Sequence, residues 1–267
     1  MLKTRIEIIY QDDDALVINK PSGVSVTYDR SGVANLIDIL ARRLGSQVSS
    51  KLRLVHRLDK DTSGVMILAR NAEAQSLFSG YFAKKQVKKT YLAIVTGKVA
   101  ARQGTIGAPL ARYRKNTQLM CIDRKKGKES ITNWKLLADF GTAALLAVQP
   151  LTGRTHQIRV HLPSIGLPLA IDPLYGAKRY LFLSDFKSDY RLGKGQTEKP
   201  LINRLTLHAY QVQLPPSWSN CPEYFIAGLD KKFAATIKLL TKHNPKGLDA
   251  FLNPDDFYTI INTQKLY

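Results

Sequence analysis

His56-Arg57-Leu58-Asp59-Lys60-Asp61-Thr62-Ser63-Gly64-Val65 sets one carboxylate, Asp59, between two cations, Arg57 and Lys60. The segment leaves a short apolar run, Leu52-Arg53-Leu54-Val55, and ends in a glycine turn. From that turn Val65–Ala69 reads as a buried strand. Adjacent cations favour the ionised carboxylate that a nucleophilic Asp needs. They equally suit an Asp that caps a turn or pairs with an Arg, and Asp59 taken alone is better read that way.

Working outward, residues 6–10 and 15–19 alternate as strands, with Asp12-Asp13-Asp14 turning between them and Pro21-Ser22-Gly23 ending the second. Residues 33–44 carry Val33, Leu36, Ile37, Leu40 and Leu44 at helical spacing, and residues 72–84 form a second amphipathic helix. Thr90–Val95 is a strand entered through Lys84, Lys85, Lys88 and Lys89. Residues 101–128 are basic and rich in turns, and strands follow near 130–138 and 143–149. Thr152-Gly153-Arg154-Thr155 signals entry to a helix with Ile158, Leu162 and Ile165 on its apolar face. Pro163 kinks or ends that helix. Residues 205–214 read as a late strand and 230–243 as a helix, and the tail beyond has no clear pattern. Strands between about 88 and 150 with helices on a face give an α+β chain whose sheet is mostly antiparallel.

The 267 residues are 44% hydrophobic and 23% charged, which fits a folded chain with a sizeable core. Forty Lys and Arg oppose twenty-one Asp and Glu, a formal net charge of +19. So large an excess points to a polyanion, most simply nucleic acid. Cys121 and Cys221 form no C-x-x-C, so a zinc knuckle is excluded and a reducing compartment is expected. The first residues meet a charge before any apolar run, which gives no secretory signal, and the longest apolar stretches are strand-length. The expectation is a cytoplasmic monomer with no membrane association and no obligate protein partner.

In Gly153–His161 the polar density is high for a helix with one apolar face. Arg159 can reach a carboxylate on another segment, whereas His156 and His161, five apart, are poorly spaced for one metal and are read as structural. Tyr91 heads an apolar strand directly after the basic run, so it serves the core or offers a stacking face to a base while Lys88 and Lys89 meet phosphates. No phosphate loop, dinucleotide fingerprint or G-x-S-x-G elbow occurs, and neither metal nor cofactor is called for.

Together these stretches resemble the RluA family of pseudouridine synthases. Four carry the likeness: Asp13–Gly23, His56–Val65, Lys88–Ala93, and Gly153–Leu162 with Gly166-Leu167-Pro168 and Asp172-Pro173-Leu174-Tyr175-Gly176 after it; Leu207-His208-Ala209 closes the pattern. H-R-L-D-x-x-T-S-G combined with G-R-T-H-Q-I-R is a specific signature.

The resemblance implies a mixed, mainly antiparallel sheet with flanking helices and a cleft across its middle. It implies catalytic roles for Asp59 as nucleophile, Tyr91 against the target base and Arg159 as partner of the catalytic aspartate. Arg57 would fill the gap left by a flipped base, and Lys88, Lys89 and Arg154 would contact RNA. The expected domain runs over 1–226 with an insertion at about 177–204, and 227–267 is a helical extension. The first strand begins within ten residues of Met1, so no S4-type domain is expected before it. The implied activity is isomerisation of uridine to pseudouridine in ribosomal or transfer RNA, with no cofactor. A non-catalytic RNA-binding protein is the rival, against which the intact Asp59, Tyr91 and Arg159 weigh. A metal-free hydrolase using Asp59 and Asp61 is less well supported, since nothing sets the two across a scissile bond.

Overall fold

The computed structural model describes residues 6–28, 33–176, 180–187, 189–193, 195–216 and 222–263. In chain order the elements are β1 (Glu7–Gln11), β2 (Ala15–Lys20), α1 (Leu36–Leu44), α2 (Ser46–Ser49), β3 (Arg53–Leu54), β4 (Ser63–Ala69), α3 (Ala72–Ala83), β5 (Lys88–Thr96), β6 (Gln103–Ile106), β7 (Leu110–Arg112), β8 (Met120–Ile122), β9 (Thr132–Asp139), β10 (Ala143–Pro150), α4 (Gln157–Ser164), β11 (Leu207–Gln213), β12 (Tyr224–Ile226), α5 (Lys231–His243) and α6 (Pro254–Asn262). Contacts divide the described residues into two compact units. One takes the chain up to Thr90 with His208 to Gly228 and Thr263; the other takes Tyr91 to Leu207 and Leu229 to Asn262. Cys221, the first five residues and parts of the expected 177–204 insertion lie outside the described residues.

In the first unit, β1 and β2 form an antiparallel hairpin, and β2 runs antiparallel to β4 from Ala15↔Ala69 to Lys20↔Gly64. The hairpin turns where the Asp12 carboxylate accepts the Asp14 and Ala15 N–H groups. β4 pairs in parallel with β11 at His208↔Ser63 and Ala209↔Gly64, and β11 pairs antiparallel with β12. All seven residues of β4 are buried, so the strand is apolar without alternation. α1 starts at Leu36 because Asn35 caps it, accepting the Ile37 and Asp38 N–H groups while Asp38 reaches back to the Asn35 N–H. Val33, expected inside this helix, precedes the cap and is exposed.

In the second unit β5, β10, β9 and β6 are neighbours in that order, each pair antiparallel. On one face Ile158 and Leu162 of α4 pack with Ala93, Val95, Leu146 and Val148. α5 buries Phe233, Ile237 and Leu240 at helical spacing behind an Asp230 cap. The tail without a legible pattern packs through Phe251, which meets Phe140 and Phe257 edge-on. The basic stretch 101–128, read as turns, contains β6 and the hairpin β7–β8. Pro163 lies in the last turn of α4, which ends at Ser164 as expected from its ring. Two expectations for this helix fail: it begins at Gln157 rather than at Thr152–Thr155, and Ile165 lies beyond it and is exposed.

Gly64 is the position where the backbone leaves no choice. Its φ is +118°, and a Cβ would fall within the Ala209 backbone. Gly23 has φ +83° but open space around it. Chemical denaturation should therefore show Gly64→Ala losing more than about 3 kcal/mol and Gly23→Ala about 1 kcal/mol. Equal small losses would contradict the close β4–β11 approach.

Candidate active site

Asp59 sits on the loop between β3 and β4, half-buried, with Arg57 and Lys60 exposed beside it and Leu58 inside. The Thr62 N–H donates to the Asp59 carbonyl and closes a tight turn. The segment after β2 grips the same loop. Lys60 O accepts the Gly23 N–H at 2.9 Å and Lys20 Nζ at 2.9 Å, and Asp61 O accepts Ser22 Oγ at 2.6 Å. Lys20 is fully buried, and its ammonium also donates to the Pro21 and Val24 carbonyls at 3.0 and 2.9 Å. A buried charge is tolerated where dipoles replace its water, and here three carbonyls do so.

Ser63 and His208 secure the far side of the loop. Ser63 Oγ lies 2.9 Å from His208 Nδ1, and His208 Nε2 lies 3.0 Å from the Ala227 carbonyl. The carbonyl only accepts, so Nε2 carries the proton and Nδ1 takes the Ser63 hydroxyl. His56 holds the near side: its Nε2 accepts the Ile67 N–H at 2.9 Å and its ring stacks on Phe82 at 4.4 Å. Burial, and secondarily the Lys89 ammonium, push the His56 pKa down to about 3. Burial also lowers the pKa of Lys89, which is half-buried whereas Lys88 is exposed. The first unit thus fixes the backbone of the loop that carries Asp59, a half-buried residue.

The second unit carries Tyr91, Arg154 and Arg159. Tyr91 is half-buried on β5 opposite Val148 and packs on the core beneath α4. Arg159 is 2% exposed and makes a bidentate pair with Asp172: Nε to Oδ2 at 2.8 Å and Nη2 to Oδ1 at 2.7 Å. Asp172 Oδ1 also accepts the Leu174 and Tyr175 N–H groups. The guanidinium lies over the Tyr175 ring, 5.3 Å from its centre. Arg154 is exposed, and its Nε donates to the Glu129 carbonyl.

Gln157 and His161 of this stretch join one buried network with Thr152 and Thr132. Gln157 Oε1 accepts Thr152 Oγ1 and the Arg154 N–H, and Gln157 Nε2 donates to the Ile131 carbonyl and Thr132 Oγ1. Thr132 in turn donates to His161 Nδ1, whose other nitrogen donates to the Ala108 carbonyl. Each donor and acceptor of Gln157 and His161 has a use here, so both are structural. Burial lowers the His161 pKa, consistent with a neutral ring. Sequence reasoning missed Lys20, Asp172 and His208 as determinants of the site. Their signals were present in Asn19-Lys20-Pro21, Asp172-Pro173-Leu174-Tyr175-Gly176 and Leu207-His208-Ala209, without roles. Among the described residues no group of three or more His, Cys, Asp or Glu is placed to hold a metal, and no helix is long and apolar enough to cross a membrane.

Residues 14–164 match the family model described as RNA pseudouridylate synthase. Ribosomal large subunit pseudouridine synthase D of Borreliella burgdorferi is 35% identical over 210 residues, covering 73% of this chain and 64% of the relative. Ribosomal large subunit pseudouridine synthase C of Buchnera aphidicola subsp. Baizongia pistaciae is 39% identical over 79% of this chain and 65% of its own length. The chain thus spans just under two thirds of these two relatives. An uncharacterized RNA pseudouridine synthase of Mycoplasma genitalium is 35% identical over 88% of this chain and 70% of its own length. The solved structure of human RNA Pseudouridylate Synthase Domain Containing 4 superposes with a TM-score of 0.66 at 27% identity, covering 88% of this chain and 92% of that one.

The His56 contact has a pH signature. A ring with its pKa near 3 when folded and 6.5 when free contributes stability above about pH 6.5 and loses it as pH falls toward 3. Between pH 7.5 and 5.0 wild type should lose about 1 kcal/mol more unfolding free energy than His56→Gln, roughly half the value for a fully enclosed ring, because this one is partly open to solvent. Parallel losses in denaturant titrations would rule out the neutral, accepting His56.

Proposed function

The chain belongs to the RluA family of RNA pseudouridylate synthases, and we propose that it isomerises uridine to pseudouridine in RNA with Asp59 as nucleophile. The observation that carries the proposal is the double hold on the Asp59 loop: its backbone is tied by Lys20, Ser22 and Gly23, while Asp59 as a residue stays half-buried rather than enclosed. A nucleophile gains most when it is held before substrate arrives.

The reaction breaks the bond from uracil N1 to the ribose, turns the base, forms a bond from the ribose to C5, removes the C5 proton and leaves a proton on N1. Atoms and electrons balance within the substrate, so no redox partner or energy source is needed. A base within a stacked helix is out of reach until it is flipped. Asp59 then attacks the sugar or the base, and both routes begin from the same carboxylate. Tyr91 packs against the base and assists the transfer of the C5 proton. Arg159 favours the ionised nucleophile, and Arg57 fills the vacated stack with its planar guanidinium. Lys88, Lys89 and Arg154 meet phosphates, and the +19 charge favours RNA at large. Two relatives are named for the large ribosomal subunit, which makes that RNA the first substrate to test and transfer RNA the second.

Incubation with unmodified ribosomal and transfer RNA transcripts, followed by pseudouridine mapping at nucleotide resolution, tests the proposal. Wild type should modify discrete uridines, and Asp59→Asn should lose at least about a hundredfold in rate while binding RNA normally. RNA binding without any pseudouridine would leave the rival binding-protein reading standing, and full activity in the variant would displace Asp59. Arg159→Ala should lower the rate more than the affinity. It should also cost about 3 kcal/mol of stability by stranding Asp172.

A further inference from the structure

Among the described residues the hairpin β7–β8 and its return to Lys128 form a strongly basic exposed segment that the catalytic roles leave unused. Its strands pair as Leu110↔Ile122, Ala111↔Cys121 and Arg112↔Met120, and its turn is closed by Tyr113 N–H to Leu119 O and Leu119 N–H to Asn116 O. Every residue from Arg112 to Gln118 is exposed. Arg112, Arg114 and Lys115 stand on the outward turn, and Arg124, Lys125, Lys126 and Lys128 on the return, all exposed. The only carboxylate from Leu110 to Lys128 is Asp123. It accepts the Lys125 and Lys126 N–H groups, so it is spent on the local turn. Tyr113 adds an aromatic face that is 39% exposed. Clustered cations with one aromatic face suit a nucleic-acid backbone.

The hairpin is wired to Arg159 through one side chain. The Tyr175 hydroxyl accepts the Met120 N–H at the start of β8, at 2.8 Å, and lies 2.8 Å from His156 Nδ1. A single hydroxyl meets both by accepting from Met120 and donating to His156. The Tyr175 ring lies under the Arg159 guanidinium, and the Tyr175 N–H donates to the carboxylate that holds Arg159. His156 itself sits at φ +52°, a left-handed conformation that is unfavourable for a non-glycine residue and persists only where neighbours impose it. A shift of the hairpin along its axis therefore pulls on the residue that cradles Arg159.

We propose that β7–β8 is an arm for the phosphate backbone of the RNA substrate and that Tyr175 is the positioning residue that couples its seating to Arg159. The coupling rests on the functional reading above; the arm itself does not. When RNA seats the hairpin, Tyr175 holds Arg159 and Asp172 in their bidentate geometry. Without RNA on the hairpin the same elements retain more freedom, and the reaction is slower.

The test uses the full chain and an unmodified transcript of large-subunit ribosomal RNA. Three proteins are compared with wild type: a hairpin triple variant (Arg112→Gln, Arg114→Gln, Lys115→Gln), Tyr175→Phe, and the two combined. The triple variant should bind about tenfold more weakly, and its slope of log affinity against log salt should fall by about 2. Tyr175→Phe keeps the ring under Arg159 and removes only the hydroxyl. It should lower kcat about tenfold with KM within about twofold, and in the triple background the same substitution should cost less than about twofold. A thermal melt identifies any variant that loses its fold, and Tyr175→Phe is conservative enough to keep it. An unchanged salt slope overturns the arm. A full tenfold loss from Tyr175→Phe in both backgrounds overturns the coupling. Wild type that binds RNA but forms no pseudouridine overturns the functional reading and the coupling with it, while the salt slope still decides the arm.

Discussion

One buried ammonium organises the first unit. Lys20 ends β2 with no exposure to water, and its Nζ is surrounded by the Pro21, Val24 and Lys60 carbonyls. Removing an ammonium from water is costly, and the cost is offset only if the replacing dipoles are correctly placed. The ion therefore disfavours every arrangement of the Pro21–Val24 turn and the Asp59–Thr62 loop that does not bring these oxygens together. Rigidity at Asp59 follows from electrostatics acting on the backbone of the next residue, Lys60, rather than on the carboxylate itself. Gly64 completes the constraint, because its bare backbone lets β11 approach where the loop becomes a strand.

The second unit solves a related problem with more groups. Its interior holds Gln157, Arg159, His161, Thr132 and Asp172, all nearly closed to solvent. An unpaired member would cost about 1–3 kcal/mol, so partial satisfaction would be worse than an apolar core. Gln157 and His161 tie α4 to the first residue of β9, Thr132, and Asp172 fixes the guanidinium of Arg159 in plane. His156 accepts a strained conformation at the entry to α4, so the helix begins late and its first turn presents Arg159 rather than an ordinary cap.

Much of this was legible in the residues. Alternation and apolar runs gave β2, β4, β5, β9, β10 and β11 to within a few positions, because each strand's pattern reflects its own burial. Helix α5, read at 230–243, spans Lys231–His243 behind its Asp230 cap. The start of α4 was misread because Thr152 looks like a cap but spends its hydroxyl on Gln157 and the Ile131 N–H. Short strands such as β7 and β8 carry too few residues for a period, and charge there masked pairing. The partners of Lys20 and His208 were invisible for a different reason. Lys60 is 40 residues from Lys20 and Ser63 is 145 from His208, and no local pattern encodes contacts so distant. Asp59 is singled out as a nucleophile only by resemblance, since its local chemistry taken alone is better read as that of a structural loop residue.

The central claim is that a carboxylate at a fixed position does the chemistry, and Asp59→Glu tests it most directly. The substitution keeps the charge and the group but moves it outward by one methylene from a loop that cannot retreat. Under single turnover with saturating RNA, the rate of pseudouridine formation should fall by about a hundredfold, with RNA affinity unchanged, since an offset on the order of 1 Å can cost that much. A rate close to wild type would show that position does not matter, and would contradict the account of Asp59 as a nucleophile held in place by its loop.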